Sequence, residues 1–312
     1  MYSKTHINKK TSLAILMCTK NGEKYIEKQL ESIKNQSICT FDIFILDNKS
    51  NDKTLEIIHN FIKKNAEISI KLLIGNDYNI GNSFLYLAKQ IPTEYKFYAF
   101  CDQDDIWLEN HLQRGIDNII SYDDDPALTC SRTCLINQSD KKIGFSKNFM
   151  RKPSFQNALV QSIAGGNTMI FNNESFKIFF NSREDLNVVS HDWLLYILVT
   201  AAGGEVKYDK TPTVLYRQHE NNAIGSNRGI INKLKRFSSM LAGNFNHFCM
   251  SNFEHLKYFQ QITNENKKTF KLLENCFREK KLLKRLYYFH KSKVYRQTFE
   301  GQIALLINFI IR

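Results

Sequence analysis

Phe97-Tyr98-Ala99-Phe100-Cys101-Asp102-Gln103-Asp104-Asp105-Ile106-Trp107 decides how the chain is read. The run from Phe97 to Cys101 is apolar and stops at three carboxylates within four positions; a tryptophan and then a polar, helix-like stretch follow. Carboxylates this dense repel one another unless a positive charge lies among them. A hard divalent cation such as Mg²⁺ or Mn²⁺ takes oxygen ligands and is commonly shared with substrate phosphates. A solvated acidic turn is the other reading that these residues allow. The flanking sequence has to choose between the two.

Upstream, the same pattern of strand, polar turn and helix recurs. Ser12 to Cys18 is a continuous apolar run, as expected of a strand buried on both faces. It ends at Thr19-Lys20-Asn21-Gly22, and Glu23 to Asn35 then has helical spacing at Ile26, Leu30 and Ile33. Phe41 to Leu46 is a second strand. Its end, Asp47-Asn48-Lys49-Ser50-Asn51-Asp52, can cap a helix from Lys53 to Lys64. Ile70 to Ile74 is a third strand, and Ser83 to Ile91 is a third helix after the Asn79-Ile80-Gly81 turn. This alternation predicts βαβ units and a mostly parallel sheet, where ligands bind beyond the carboxyl ends of the strands. The loops that begin at Thr19, Asp47 and Asp102 all lie at such ends. Topology therefore gathers them at one edge, which favours the ligand site over the solvated turn.

Downstream, a helix is expected from Glu109 to Tyr122, with His111 on its surface, before the solvated break Asp123-Asp124-Asp125-Pro126. Ala127 to Arg132 reads as a strand, and residues 139–157 as a polar, aperiodic, mobile loop. Gly165-Gly166-Asn167-Thr168 opens a strand from Met169 to Phe171, and paired glycines let backbone approach a ligand closely. Ser190-His191-Asp192-Trp193 precedes an apolar helix, Leu194 to Ala202, that ends at Gly203-Gly204. Val214 to His219 is a strand leading into Glu220-Asn221-Asn222, and from Gly229 onward the pattern is helical.

Composition narrows the class. With 312 residues, 43% of them apolar and 24% charged, wholesale disorder is excluded, and one large domain with an appendage is accommodated. The seven cysteines are scattered with no C-x-x-C pair, so reduced thiols in a cytosolic protein are expected rather than zinc or disulfides. The polar N-terminus has no signal-like core, and no apolar stretch approaches the roughly 18 to 20 residues that span a bilayer. The net charge of +12 is unevenly spread: residues 226–312 hold 17 Lys and Arg against 5 Asp and Glu, while residues 1–225 balance. The expected organisation is thus a main α/β domain over 1–225 and a basic helical region over 226–312. With its apolar end, Ile303 to Ile311, that region reads as an interfacial membrane anchor, a tail packed on the core, or a nucleic-acid surface.

Five blocks in order carry a resemblance. They are Thr19-Lys20-Asn21-Gly22-Glu23-Lys24-Tyr25, Asp47-Asn48-Lys49-Ser50-Asn51-Asp52, Cys101-Asp102-Gln103-Asp104-Asp105-Ile106-Trp107, His191-Asp192-Trp193, and Tyr216-Arg217-Gln218-His219-Glu220-Asn221-Asn222. Over about residues 12–225 the chain resembles glycosyltransferase family 2, and within it the rhamnosyltransferase-like members of bacterial surface-polysaccharide pathways. The resemblance implies an α/β GT-A fold with a mostly parallel sheet, and inverting, metal-dependent transfer from a nucleotide-sugar donor. Asp102-Gln103-Asp104 matches the family's D-x-D motif, so Asp102 and Asp104, with His219, would hold Mg²⁺ or Mn²⁺. Thr19, Asn21, Glu23, Asp47, Asn48, Asp102 and Gln103 match donor-binding positions, and Asp192 matches the catalytic base. The implied donor is dTDP-rhamnose, with UDP-hexoses or UDP-N-acetylhexosamines as alternatives. The implied acceptor is a glycan on polyprenyl diphosphate at the inner face of the cell membrane, in O-antigen or capsule synthesis. Two departures stand out: Asn48 replaces the family's second Asp, and Lys20 stands where Tyr is common. A nucleic-acid binder would account for the basic C-terminal region but not for the converging polar loops, so no nucleic-acid partner is expected.

Overall fold

The computed structural model describes residues 13–38, 40–219 and 244–311. The first strands are β1 (Leu13–Thr19), β2 (Asp42–Asp47), β3 (Ser69–Ile74) and β4 (Phe97–Cys101), joined by α1 (Ile26–Lys34), α2 (Thr54–Lys64) and α3 (Ile80–Lys89). β5 (Ile106–Trp107), α4 (His111–Ile119), β6 (Ala127–Ser131), β7 (Cys134–Ile136), β8 (Lys142–Phe145) and α5 (Phe155–Ala158) follow. A 3₁₀ turn over Gly166–Thr168 then leads to β9 (Ile170–Asn172), α6 (Asn173–Phe180), α7 (His191–Ala201), β10 (Glu205–Asp209) and β11 (Val214–Arg217). The final helices are α8 (Asn244–Tyr258), α9 (Asn264–Arg278), α10 (Leu282–Ser292) and α11 (Phe299–Ile311).

All of β1 is buried because it is sandwiched between two apolar layers. Alternate side chains divide between them, as the two-residue period of a strand requires. Ala14 and Leu16 face α3, α6 and α7, whereas Leu13, Ile15 and Met17 face α1, α2 and α4. The main sheet has the order β3-β2-β1-β4-β9-β6-β10, and every pairing is parallel except those of β9. Since β9 runs backwards, the residues before it, Gly165 to Thr168, lie at the edge where β1, β2 and β4 end. A smaller sheet, β5-β11-β7-β8, carries the chain from the acidic loop to residue 217, with Val214 opposite Trp107.

Several expectations are corrected. Residues 139–157 are not one long loop: β8 pairs with β7, and α5 packs on α7 with Phe155, Ala158 and Leu159 in the core. His111 is buried, not superficial, because its Nδ1 lies 2.8 Å from the Thr213 hydroxyl and its ring packs on Trp107. The exposed break at Asp123 to Asp125 is as expected.

Three of the last four helices enter the core of the α3–α6–α7 layer through Cys249, Phe253, Leu273, Leu305 and Phe309, and α10 packs against it with the partly buried Tyr288 and Phe289. α9 also completes the end of α7: Thr263 N–H donates to Ala201 O, and the Asn266 amide donates to the carbonyls of Thr200 and Ala201. Gly203, at φ +82°, turns the chain there at little steric cost. The expected boundary at 225/226 and the segment Glu220-Asn221-Asn222 lie outside the described residues. No helix among the described residues is long and apolar enough to cross a membrane.

Candidate active site

The strand ends are stitched together by backbone: Asn48 N–H donates to Thr19 O, and Gly75 N–H donates to Asp47 O. Side chains complete the stitching. Asp47, fully buried, accepts from the Thr19 hydroxyl at 2.9 Å, the Ser50 N–H at 2.8 Å and the Ser50 hydroxyl at 2.5 Å. Asn21 Oδ1 accepts from Asn51 N–H, and Glu23 accepts from Lys53 N–H just ahead of α2. The Gln103 amide grips the first turn at both ends: Lys20 N–H donates to its Oε1 and its Nε2 donates to Lys20 O, each at 3.0 Å. A Cβ on Gly22 would sit 2.3 Å from Gln103 Oε1, so glycine is needed where this clamp crosses. Lys20, without a role on sequence grounds, pairs with Asp77 beyond β3.

Asp102, Asp104 and Asp105 bring carboxylate oxygens within 4.8 Å of one another. Their environments differ. Asp105 is buried and hydrogen-bonded: its oxygens accept from Asn167 Nδ2 at 2.6 Å and from Arg217 N–H at 2.9 Å. Asp104 lies 2.7 Å from His219 Nε2, and the His219 ring stacks on Tyr25. Asp102 is pushed up to about 8, first by burial and then by the charges of Asp104 and Asp192. An all-oxygen pair with a histidine beside it, in which Asp102 ionises only at a cost, fits a hard divalent cation.

Arg217 sets the position of this loop, a role the sequence reading did not assign. Its side chain is fully buried; Nε donates to Asp104 O at 2.8 Å, Nη1 reaches Asn137 O and pairs with Asp140, and the guanidinium lies over the Tyr25 ring. The signal available was its place in Tyr216-Arg217-Gln218-His219, but nothing local marks an arginine for burial.

Asp192 stands on the first turn of α7, across from this loop. Its Oδ2 accepts from Gly166 N–H at 2.9 Å, and Oδ1 accepts from Trp193 N–H at 2.7 Å and from the Ser190 hydroxyl. A Cβ on Gly166 would meet His191 Nε2 at 2.6 Å, so the glycine is what lets the backbone reach the carboxylate. His191 is buried on the Phe84 ring, and burial holds it neutral, with its pKa lowered to about 4. The structure therefore gathers Thr19, Asp47, Asn48, Asp102, Asp104, His219 and Asp192 at one sheet edge. It engages Asn21, Glu23 and Gln103 in holding the loops to one another.

Residues 14–180 match the family model described as Glycosyl transferase family 2. The chain is 31% identical over 239 residues to the dTDP-rhamnosyl transferase RfbG of Shigella flexneri, an alignment covering 70% of this chain and 77% of that one. It is 30% identical over 107 residues, 33% of this chain and 39% of the relative, to the UDP-Glc:alpha-D-GlcNAc-diphosphoundecaprenol beta-1,3-glucosyltransferase WfgD of Escherichia coli. Its fold is similar to that of S. aureus TarS solved with UDP-GlcNAc, with a TM-score of 0.54 at 14% identity over 90% of each chain.

Proposed function

The chain belongs to glycosyltransferase family 2 and is a glycosyltransferase using a nucleotide-sugar donor, and from its site we infer a metal-assisted, inverting transfer with Asp192 as general base. The single observation that carries this is the pairing of Asp192, held by three hydrogen bonds, with the uncompensated Asp102 facing it. Asp102 and Asp104, with His219, would hold Mg²⁺ or Mn²⁺, which when bound would neutralise charge on a departing nucleotide diphosphate. Asp105 ties this loop to Asn167 and Arg217 beside the pair. Asp192 takes the proton of the acceptor hydroxyl as that oxygen bonds to the anomeric carbon and the bond to the diphosphate breaks. With base and diphosphate on opposite sides of that carbon, its configuration inverts.

The similarity to RfbG supports a dTDP-rhamnose donor; UDP-linked hexoses or N-acetylhexosamines are the alternative, by analogy to WfgD. The name of WfgD also supports a polyprenyl-diphosphate-linked acceptor in polysaccharide synthesis. A seat at the inner membrane surface is supported by the last two helices. α11 buries Leu305 and Phe309 but leaves a neighbouring stripe of Phe299, Ile303, Leu306 and Ile310 exposed, and Leu283 on α10 is 83% exposed beside Lys280, Lys281 and Lys284. An apolar stripe flanked by lysines suits an anionic lipid surface. This preserves both readings of the tail, part packed and part free. The catalytic reading is tested by Asp192→Asn, which keeps most hydrogen bonding and removes the base. Transfer should fall about 10²- to 10⁴-fold with donor binding retained; near-normal turnover would overturn the assignment.

A further inference from the structure

Arg217 places a buried positive charge beside the loop proposed to hold a cation. It meets Asp104 through the backbone: Nε donates to the carbonyl O at 2.8 Å, which leaves the Asp104 carboxylate to His219, 2.7 Å away. The guanidinium charge is matched by Asp140, which pairs with Nη1 from the turn between β7 and β8. That turn closes without the Asp140 side chain. Asn137 N–H donates to Lys141 O at 2.9 Å, Asp140 N–H donates to Asn137 O at 3.1 Å, and Asn137 Oδ1 accepts from the N–H groups of Ser139 and Lys141, each at 3.0 Å. Asp140 sits at φ +63°, where glycine is the least strained residue. Its carboxylate engages two cations instead, Oδ1 with Arg217 and Oδ2 with Lys28 of α1. The two pairs are unequal, since Arg217 is fully buried and Lys28 is mostly exposed. An exposed pair contributes little, whereas a buried cation deprived of its anion is left uncompensated.

We propose that Asp140 is a positioning residue for the metal-facing loop: by holding and neutralising Arg217, it fixes the Asp104 backbone and the Tyr25–His219 stack, and keeps a buried positive charge from opposing the cation. The proposal rests on the metal reading of Asp102, Asp104 and His219. Asp140 acts through Arg217, whose guanidinium lies 4.5 Å from the centre of the Tyr25 ring while that ring stacks on His219. Like charges close together in a poorly solvated place repel strongly. Partners that orient metal ligands from behind typically carry about 10- to 100-fold in metal affinity.

Mn²⁺ binding to the full-length, nucleotide-free protein, read from the EPR signal of free Mn²⁺, tests this independently of turnover. Asp140→Asn keeps the left-handed turn and an oxygen for Arg217 but removes the charge; Asp140→Gly suits φ +63° and removes the oxygen as well. Both should weaken Mn²⁺ binding by about 10- to 100-fold, with glycine the weaker binder. Lys28→Ala should stay within about twofold of wild type. Circular dichroism melts establish that each variant is folded at the temperature of the titration. A folded Asp140→Asn that melts lower yet binds Mn²⁺ within about twofold of wild type would make the residue merely structural and overturn the proposal. So would Lys28→Ala weakening Mn²⁺ as much as Asp140→Asn does, because the effect would then belong to the seating of the hairpin on α1. Wild-type protein that binds no Mn²⁺ would overturn the metal reading itself.

Discussion

Two acidic loops flank β1, one after β2 and one after β4, and they are built on opposite plans. Asp47 is buried among three hydrogen bonds from Thr19 and Ser50, so the protein supplies everything its charge requires. The Asp102 carboxylate accepts no hydrogen bond among the described residues and faces two further carboxylates. Buried charge without partners is costly. Asp47 is thus part of the scaffold, complete in the free protein, whereas Asp102 is left for the proposed cation to complete. Density of aspartates does not separate the two cases; the donors around each one do.

The contrast can be broken most severely at Asp104. Asp104→Ala should lower transfer by about 10³-fold or more and abolish the rise in melting temperature produced by Mn²⁺, read by assay and thermal shift. Metal dependence that survives would erase the distinction between the loops. At Asp47 the damage should fall on stability: Asp47→Ala should cost about 3 kcal/mol in denaturant unfolding, metal present or not, because it leaves the Ser50 and Thr19 donors without their acceptor. Asp102→Asn should do the reverse. The native Asp102 keeps its proton up to about 8 while the unfolded residue releases it near 3.8. Between those values the native state binds the extra proton, so metal-free wild-type protein loses stability as pH rises. Unfolding from pH 5 to 8 should show the variant gaining on wild type by up to about 1.4 kcal/mol per pH unit, and losing its response to Mn²⁺. The smallest effect lies outside both loops. His111 is held neutral by burial, its pKa lowered to about 3, so below about 6.5 the unfolded state takes up a proton that the native one refuses, and stability falls. His111→Asn should flatten this acid limb and leave the Mn²⁺ response intact.

Period and punctuation made the first four strands and three helices legible, because each is a short apolar run closed by a polar turn. That was enough to place the loops at Thr19, Asp47 and Asp102 on one edge. The rest depended on contacts distant in sequence. His111 looks superficial until Thr213 is brought to it, and 139–157 looks aperiodic because β8 exposes most of its residues and α5 is a single turn. Gln103 lies between two metal-facing candidates and so reads as a ligand contact, yet both ends of its amide are taken by Lys20.

The reversed strand β9 has a consequence for how the protein is made. Chains emerge N-terminus first, and β3-β2-β1-β4 is already contiguous once Cys101 has been synthesised. One edge of β4 is then open, an invitation to wrong pairing. β6 is the next strand of this sheet along the chain but does not close that edge, because the place beside β4 belongs to β9, with Phe97 opposite Asn172 and Leu128 opposite Phe171. The strand that seals the sheet is also the one whose leading turn carries Gly166 to Asp192. A nascent chain therefore brings Gly166 to the edge of the candidate site in the same step that closes the open side of β4.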